Sequence, residues 1–376
     1  MELSDLKLKE NPFRTGPSIN PKDLIWAGFL ELKKKIEDRL SFAMKTSPSR
    51  IVLNWGRYGS GKTHAANFYT KTNRLNELSA EKSANQTKSI KINLPRTSKD
   101  PVQSFFRSFL GQISLSDMKA DFDKVKESLL AHESIDTIID VNSNDIIISD
   151  LFKLIISDDN ADKFQAIEAY LFGDATKSTL VKLGLPFGLK DDEQIVNFLS
   201  TYINCITFEK RVFSSFILWL DEFEDIDTLN KQSQDRVTTF LRQLFDKTPN
   251  HFLLFLNFTP KTFFNIEDLS IILGEALSTR AKIQINFEAP SLNEAINYLE
   301  ELISPQLNNI QDKFGPFENE ETIKYVLENI GNLSIRKINE VFSLIIELAI
   351  LLGKDKIDID FIKSVKDEIP SFESKL

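Results

Sequence analysis

The residues with the most chemical content lie between positions 56 and 63. Gly56-Arg57-Tyr58-Gly59-Ser60-Gly61-Lys62-Thr63 has the spacing GxxxxGK[ST], directly after the apolar run Ile51-Val52-Leu53-Asn54-Trp55 and directly before a helical segment, Thr63 to Lys71. Glycines at these positions let successive backbone N–H groups turn inward around phosphate oxygens, and the following helix adds a favourable dipole at its N-terminus. In such a loop Lys62 reaches the β and γ oxygens and the Thr63 hydroxyl ligates Mg²⁺. A second constellation is Phe216-Ile217-Leu218-Trp219-Leu220 followed by Asp221-Glu222. A buried strand there delivers one carboxylate, Asp221, to a metal shell, and the next, Glu222, to an attacking water. Paired with a phosphate loop, this acid pair favours hydrolysis of a nucleoside triphosphate over transfer of its phosphoryl group to another substrate. The alternative is that the two acids cap the next helix.

Four further residues carry weaker signals. Asn257 follows the apolar strand His251–Leu256 and reads either as an amide that orients water or touches the γ-phosphate, or as a turn residue. Asn93, inside the run Ile90-Lys91-Ile92-Asn93-Leu94, can hold Glu222 in an inactive pose or be an ordinary polar strand position. Arg280 stands just before a fifth apolar run and Arg336 at the start of a C-terminal helix. A lone arginine is most often a solvated or ion-paired surface residue, and for Arg280 the competing reading is an ion pair within the chain, with an acid such as Glu275.

The elements that must position these residues alternate in type. Strands are expected at Ile51–Trp55, Ser89–Leu94, Phe216–Leu220, Phe252–Leu256 and Lys282–Phe287, separated by helical patterns, which is the signature of an α/β domain with a mainly parallel sheet. Residues 1–22, with Pro12, Pro17 and Pro21, read as an extended lead-in, followed from Asp23 by an amphipathic helix on Ile25, Phe29, Leu32, Ile36 and Leu40. About 100 residues separate the helix ending near Ile113 from the strand at Phe216. Helical patterns at Asp150–Ile156, Phe164–Phe172 and Glu193–Ile206 mark an inserted helical subdomain there, with Asp158-Asp159-Asn160 as a loop. After Pro290 the strands stop, and Ser291 with Glu294 stands in capping-box register before a helix over Leu292–Ile303. Helical patterns follow at Glu320–Ile330 and Ser334–Leu352. The expected organisation is a lead-in and helix over 1–50, a nucleotide-binding α/β domain over 51–290 with its insertion over about 115–210, and a small helical lid over 291–376.

Composition bounds the function classes. The chain has 376 residues, 41% hydrophobic and 27% charged, well inside the globular range. Its 46 Lys+Arg against 55 Asp+Glu give a net charge of −9, which argues against wrapping nucleic acid by bulk electrostatics, although DNA contact through a local face stays open. Residues 291–376 alone hold 9 Lys+Arg and 16 Asp+Glu, so the lid is a poor candidate for touching DNA. The single cysteine, Cys205, fits a reducing, cytoplasmic address, and no apolar run approaches the roughly 20 residues of a membrane span. A soluble protein without membrane contact is expected.

The order of these motifs resembles the AAA+ ATPases: phosphate loop, DE strand, polar strand end, arginine before the fifth strand, arginine in a helical lid. Within that family the likeness is to the origin-recognition and initiator clade and to bacterial phage-defence relatives of the BREX type. It is carried by Asn11-Pro12-Phe13, by Arg57 to His64, and by Leu220-Asp221-Glu222-Phe223-Glu224-Asp225. The insertion before the DE strand is longer than the family pattern. The resemblance implies a P-loop NTPase fold, ATP and Mg²⁺ as cofactors, and nucleotide contacts from Gly56, Tyr58, Gly59, Ser60, Gly61, Lys62, Thr63 and His64. It further implies Asn257 as sensor 1, Arg336 as sensor 2, and Arg280 as an arginine finger supplied to a neighbouring copy, hence a homo-oligomer with a protein partner from the same system. ATP over GTP rests on the resemblance and on the lack of a guanine-reading Asn-Lys-x-Asp run.

Overall fold

A computed structural model describes residues 1–369 and 372, apart from 17, 19, 97, 98, 158–160, 190, 261–268 and 308–312. The expected loop at Asp158-Asp159-Asn160 and the early Pro17 therefore lie outside the described residues. The chain divides into two compact units, one of Met1–Ile36, Trp55–Thr72 and Asn286–Leu376, the other of Glu37–Asn54 and Asn73–Ile285.

Five strands form one parallel sheet flanked by helices: β1 (Arg50–Gly56), β2 (Gln86–Asn93), β3 (Phe213–Asp221), β4 (Phe252–Phe258) and β5 (Ile283–Phe287), in the order β2-β3-β4-β1-β5. The two central strands β3 and β4 are buried at every position, which is why they read as continuous apolar runs. Register places Asn93 of β2 opposite Asp221 of β3, and Leu220 opposite Leu256 of β4. Since side chains alternate between faces along a strand, Trp219 and Asp221 share one face of β3, and Phe255 and Asn257 share one face of β4. Trp219 stacks on Phe255 with ring centroids 3.9 Å apart and donates its indole N–H to Ser89 Oγ on β2 at 3.1 Å.

The second unit also holds the insertion. Its helices at Ile146–Ser157, Ala161–Leu171 and Asp192–Ile206 fall where the pattern placed them, and three more, Leu115–Glu127, Ile135–Asn142 and Lys177–Leu183, complete it. Much of its core is phenylalanine. Phe106 packs edge-on against Phe198 at 5.4 Å, Phe198 stacks on Phe152 at 4.7 Å, and Phe109 joins them to the sheet through Phe216. The abundance of Phe is thus spent in packing. A buried acid here, Asp121, is paired with Lys88 and accepts a 2.6 Å hydrogen bond from the Tyr202 hydroxyl, whose own ionisation is pushed well up by burial.

In the first unit the capping box at Ser291 and Glu294 is formed, and helices follow at Leu292–Ile303, Glu320–Glu328, Ile335–Leu351 and Ile359–Val365. Two local expectations need correction. The amphipathic helix begins at Leu30 rather than Asp23 and runs to Lys45. Gly28 and Phe29 have φ of 60° and 49°, the Gly28 N–H donates to the Glu301 carboxylate at 2.7 Å, and the Trp26 indole donates to the Gly28 carbonyl, so tertiary bonds replace the first helical turn. Nor is the stretch before it extended throughout. It is turn-rich, and Leu6, Leu8 and Phe13 are buried in one core with Leu299, Phe342 and Ile346. Phe13 is 3% exposed, its ring 5.5 Å from that of Phe342. Phe13→Ala is expected to destabilise this unit by about 3–5 kcal/mol, the range for emptying a buried phenylalanine site. Urea unfolding followed by circular dichroism checks it, and a detached segment would leave the midpoint unmoved.

Candidate nucleotide site

Within the first unit, the strand end, loop and helix of residues 56–71 form a phosphate loop. Gly59 and Gly61 both have positive φ, 76° and 99°, a backbone region that side chains disfavour. Gly61 is the cap of the helix Lys62–Lys71, whose first-turn N–H groups have no helical acceptors of their own. Lys62 is 7% exposed. Its ammonium donates to the carbonyl of Gly56 at 2.6 Å, to that of Arg57 at 3.1 Å and to Ser60 Oγ at 3.4 Å. An anionic phosphate oxygen would be a stronger acceptor for this ammonium than a carbonyl. Thr63 follows on the first turn, half-buried.

His64 has a different setting from the one expected of a nucleotide contact. Its Nε2 donates to the Ile25 carbonyl at 2.9 Å, and its ring lies against Trp26 and Phe68. Burial lowers its pKa, so the neutral ring with the proton on Nε2 ties residues 25–26 to the helix that follows the loop. Arg336 is brought to the loop. Ser334 caps the helix Ile335–Leu351, the Arg336 N–H donates to the Gly59 carbonyl at 3.3 Å, and its guanidinium lies over the exposed Tyr58 ring, 4.3 Å from the centroid. A Cβ at Gly59 would stand 2.8 Å from that of Arg336, a second reason for glycine there.

Within the second unit, the end of β3 gathers the polar residues. Asp221 is 2% exposed. Its Oδ1 accepts from Asn257 Nδ2 at 2.9 Å, and the Asn257 Oδ1 accepts from Asn54 Nδ2 of β1 at 2.8 Å. On the other side, the Lys91 ammonium of β2 is 3.5 Å from Asp221 Oδ2 and 3.1 Å from Asn93 Oδ1. A row of side chains therefore crosses four adjacent strands, Asn54, Asn257, Asp221 and Lys91, directly above the Trp219–Phe255 stack. Asn257 lies inside β4 and is fully buried, engaged with Asp221 and Asn54. Lys91 and Asn54 are absent from the sequence reading. The available signals were an amide inside the apolar run of β1, and the two-residue spacing that puts Lys91 on the same face as Asn93.

Glu222 begins where β3 ends, in a left-handed conformation with φ 55°, uncommon for a residue other than glycine, asparagine or aspartate. Asn93 Nδ2 donates to its Oε2 at 3.2 Å, so the structure brings these two together. Arg96, which the sequence did not single out, adds an ion pair to Glu222 Oε1 at 3.1 Å while its Nε donates to Asp225 at 2.6 Å. Burial raises the Glu222 pKa and Arg96 opposes the rise, with Asp225, Asp221 and Glu224 adding to it. Arg280, half-buried, pairs with Asp246 of the helix Lys231–Lys247, Nε to Oδ1 and Nη2 to Oδ2 at 3.0 and 3.2 Å. Asp246 is thus an intrachain acid for Arg280, of the kind the competing reading named with Glu275 as its example.

The donor set suits magnesium, which takes hard oxygen ligands, keeps several waters, and needs few protein groups when it also binds phosphate. The Asp221 carboxylate is of that kind, and a cationic ammonium already stands against it. Among the described residues no group of three or more His, Cys, Asp or Glu forms an all-protein metal cage, and no helix is long and apolar enough to cross a membrane.

No family model and no curated protein matches the sequence. Among solved structures, the chain is similar to the Aeropyrum pernix ORC1 protein in complex with DNA, at 12% identity over 93% of this chain and 68% of that one, with a TM-score of 0.47. The Aeropyrum pernix ORC2 protein in ADPNP–ADP complexes gives 12% identity, 91% and 66% coverage, and a TM-score of 0.49. The Thermotoga maritima RuvB Holliday junction branch migration motor gives 12%, 94%, 73% and 0.41.

Since the Arg96 guanidinium holds the Glu222 carboxyl down against burial, Arg96→Ala is expected to move its titration midpoint further up. Carbon-13 NMR of glutamate-carboxyl-labelled protein, with Glu222→Gln as the assignment control, measures this directly.

Proposed function

We propose that this chain is an AAA+ ATPase that binds and hydrolyses ATP with Mg²⁺ and uses its nucleotide state to switch self-assembly or engagement of a protein partner. The observation that carries the reading is the buried Lys62 ammonium, turned onto the carbonyls of a loop whose glycines adopt left-handed conformations at the start of a helix. In this reading Lys62 and the loop from Gly56 to Thr63 take the phosphates, and Thr63 and Asp221 hold the metal. Bound Mg²⁺ supplies charge neutralisation to phosphate oxygens. Glu222 accepts the proton of the attacking water, Asn257 keeps Asp221 in place, and Arg336 senses the loop from the lid. Asn93 and Arg96 both hold Glu222, which favours an enzyme of low basal turnover, close to a nucleotide-gated scaffold until a partner disturbs that contact. We place the activity in the cytoplasm on the single cysteine, and in phage defence or another DNA transaction on the sequence resemblance.

The test separates ground-state binding from chemistry. Lys62→Ala is expected to weaken ATP binding by about 1.5–3 kcal/mol, the worth of a hydrogen bond to a charged group, whereas Glu222→Gln retains affinity and loses turnover. Equal loss of affinity in both would overturn the assignment.

Assembly has its own test. Arg280 is proposed to complete a neighbouring copy's site after leaving Asp246, an effect of about 10³ to 10⁵ in rate for arginine fingers generally. Arg280→Ala and Lys62→Ala, each inactive alone, are expected to recover activity when mixed, and wild-type specific activity to rise with concentration. Activity independent of concentration, with no rescue, would leave Arg280 a structural partner of Asp246.

A further inference from the structure

Two lysines on β2 meet buried carboxylates, and they do so differently. Lys88 closes tightly on Asp121, which also receives the Tyr202 hydroxyl, and nothing in the proposed chemistry uses that acid. Lys91 stands 3.5 Å from Asp221 Oδ2, at the loose end of hydrogen-bonding distance, and shares its protons with Asn93 Oδ1 at 3.1 Å. Both side chains are only partly exposed, 20% for Lys88 and 17% for Lys91, so solvent access does not explain the difference.

An ionised carboxylate as deeply buried as Asp221 requires hydrogen-bond donors and positive charge. Asn257 supplies a neutral donor to Oδ1 only, and it cannot turn its carbonyl toward Asp221 because that oxygen accepts from Asn54. The positive charge comes from Lys91 alone among the side chains that the structure pairs with Asp221. We infer that Lys91 is a resident counter-cation for Asp221 which a divalent metal ion must displace. This rests on the metal role proposed for Asp221. A divalent ion and an ammonium on the same carboxylate oxygen repel one another, and the ammonium, on a flexible four-carbon stem with Asn93 as a second acceptor, is the one able to yield. Lys91 is a positioning residue and touches no reacting atom.

The experiment measures metal affinity apart from turnover. ADP binding to the wild type in EDTA is measured first by calorimetry, and Mn²⁺ is then titrated into the ADP complex with free Mn²⁺ counted by electron paramagnetic resonance. Lys91→Gln, which keeps a polar side chain of similar length, is expected to bind Mn²⁺ about tenfold or more tightly because the competing charge is gone. It is also expected to melt below the wild type in EDTA, with the gap narrowing once Mn²⁺ and ADP are bound. Should Lys91→Gln fail to fold, Lys91→Arg decides: its permanently charged, bidentate fork competes harder, so Mn²⁺ binds more weakly than to the wild type. Unchanged or weaker Mn²⁺ binding in Lys91→Gln, or tighter binding in Lys91→Arg, overturns the inference. A wild type that binds no ADP overturns the ATPase reading instead.

Discussion

An ionised carboxylate at the end of a strand buried on both faces is the most demanding group in the second unit, and the central sheet is arranged around it. Removing Asp221 from water costs several kcal/mol unless each oxygen is met. The strand order meets that need: β4 lies on one side of β3 and brings Asn257 to Oδ1, β1 lies beyond β4 and brings Asn54 to fix the Asn257 amide, and β2 on the other side brings Lys91 to Oδ2. Two residues earlier on the same faces of β3 and β4, Trp219 and Phe255 stack and are fully buried. Replacing any one of the four would leave a buried donor or acceptor unpaired, which is the costly direction of change.

The first unit solves the same problem with the sign reversed. There a buried ammonium, Lys62, is surrounded by carbonyl and hydroxyl oxygens of its own loop, and the loop can approach it only because glycines accept left-handed backbone. A phosphate would offer the Lys62 ammonium charged oxygens in place of carbonyls, and a divalent ion would offer Asp221 two charges where the Lys91 ammonium, 3.5 Å away, offers one. The contact of Arg336 with Tyr58 and Gly59 ties the start of the helix Ile335–Leu351 to the same loop.

The sequence made the strands legible because β3 and β4 are apolar without interruption, and made the phosphate loop legible because its glycines and lysine answer a steric and electrostatic demand with few solutions. It concealed what depends on partners far along the chain. Trp26 to Phe29 carry a helical pattern, yet Glu301 and the left-handed backbone of Gly28 and Phe29 claim those residues, so the helix starts at Leu30. Leu6, Leu8 and Phe13 lie among prolines and polar residues with no periodicity, and only the core formed after residue 286 gives them a place. Arg280 was readable as an ion-paired residue but not its partner, since Asp246 lies 34 positions away on another helix. Lys91 and Arg96 carry no signal of their own in the sequence, and the register of β2 on β3 is what sets them beside Asp221 and Glu222.

The account stands on one claim, that the buried Lys62 and Asp221 are held ready for a nucleoside triphosphate and its metal. Calorimetric titration of ATP into the wild-type chain, with Mg²⁺ and again in EDTA, tests it most directly. Saturable binding of one nucleotide per chain, tighter with Mg²⁺ than without, is the predicted result. A chain that is folded by circular dichroism yet takes up no ATP in either condition would contradict it.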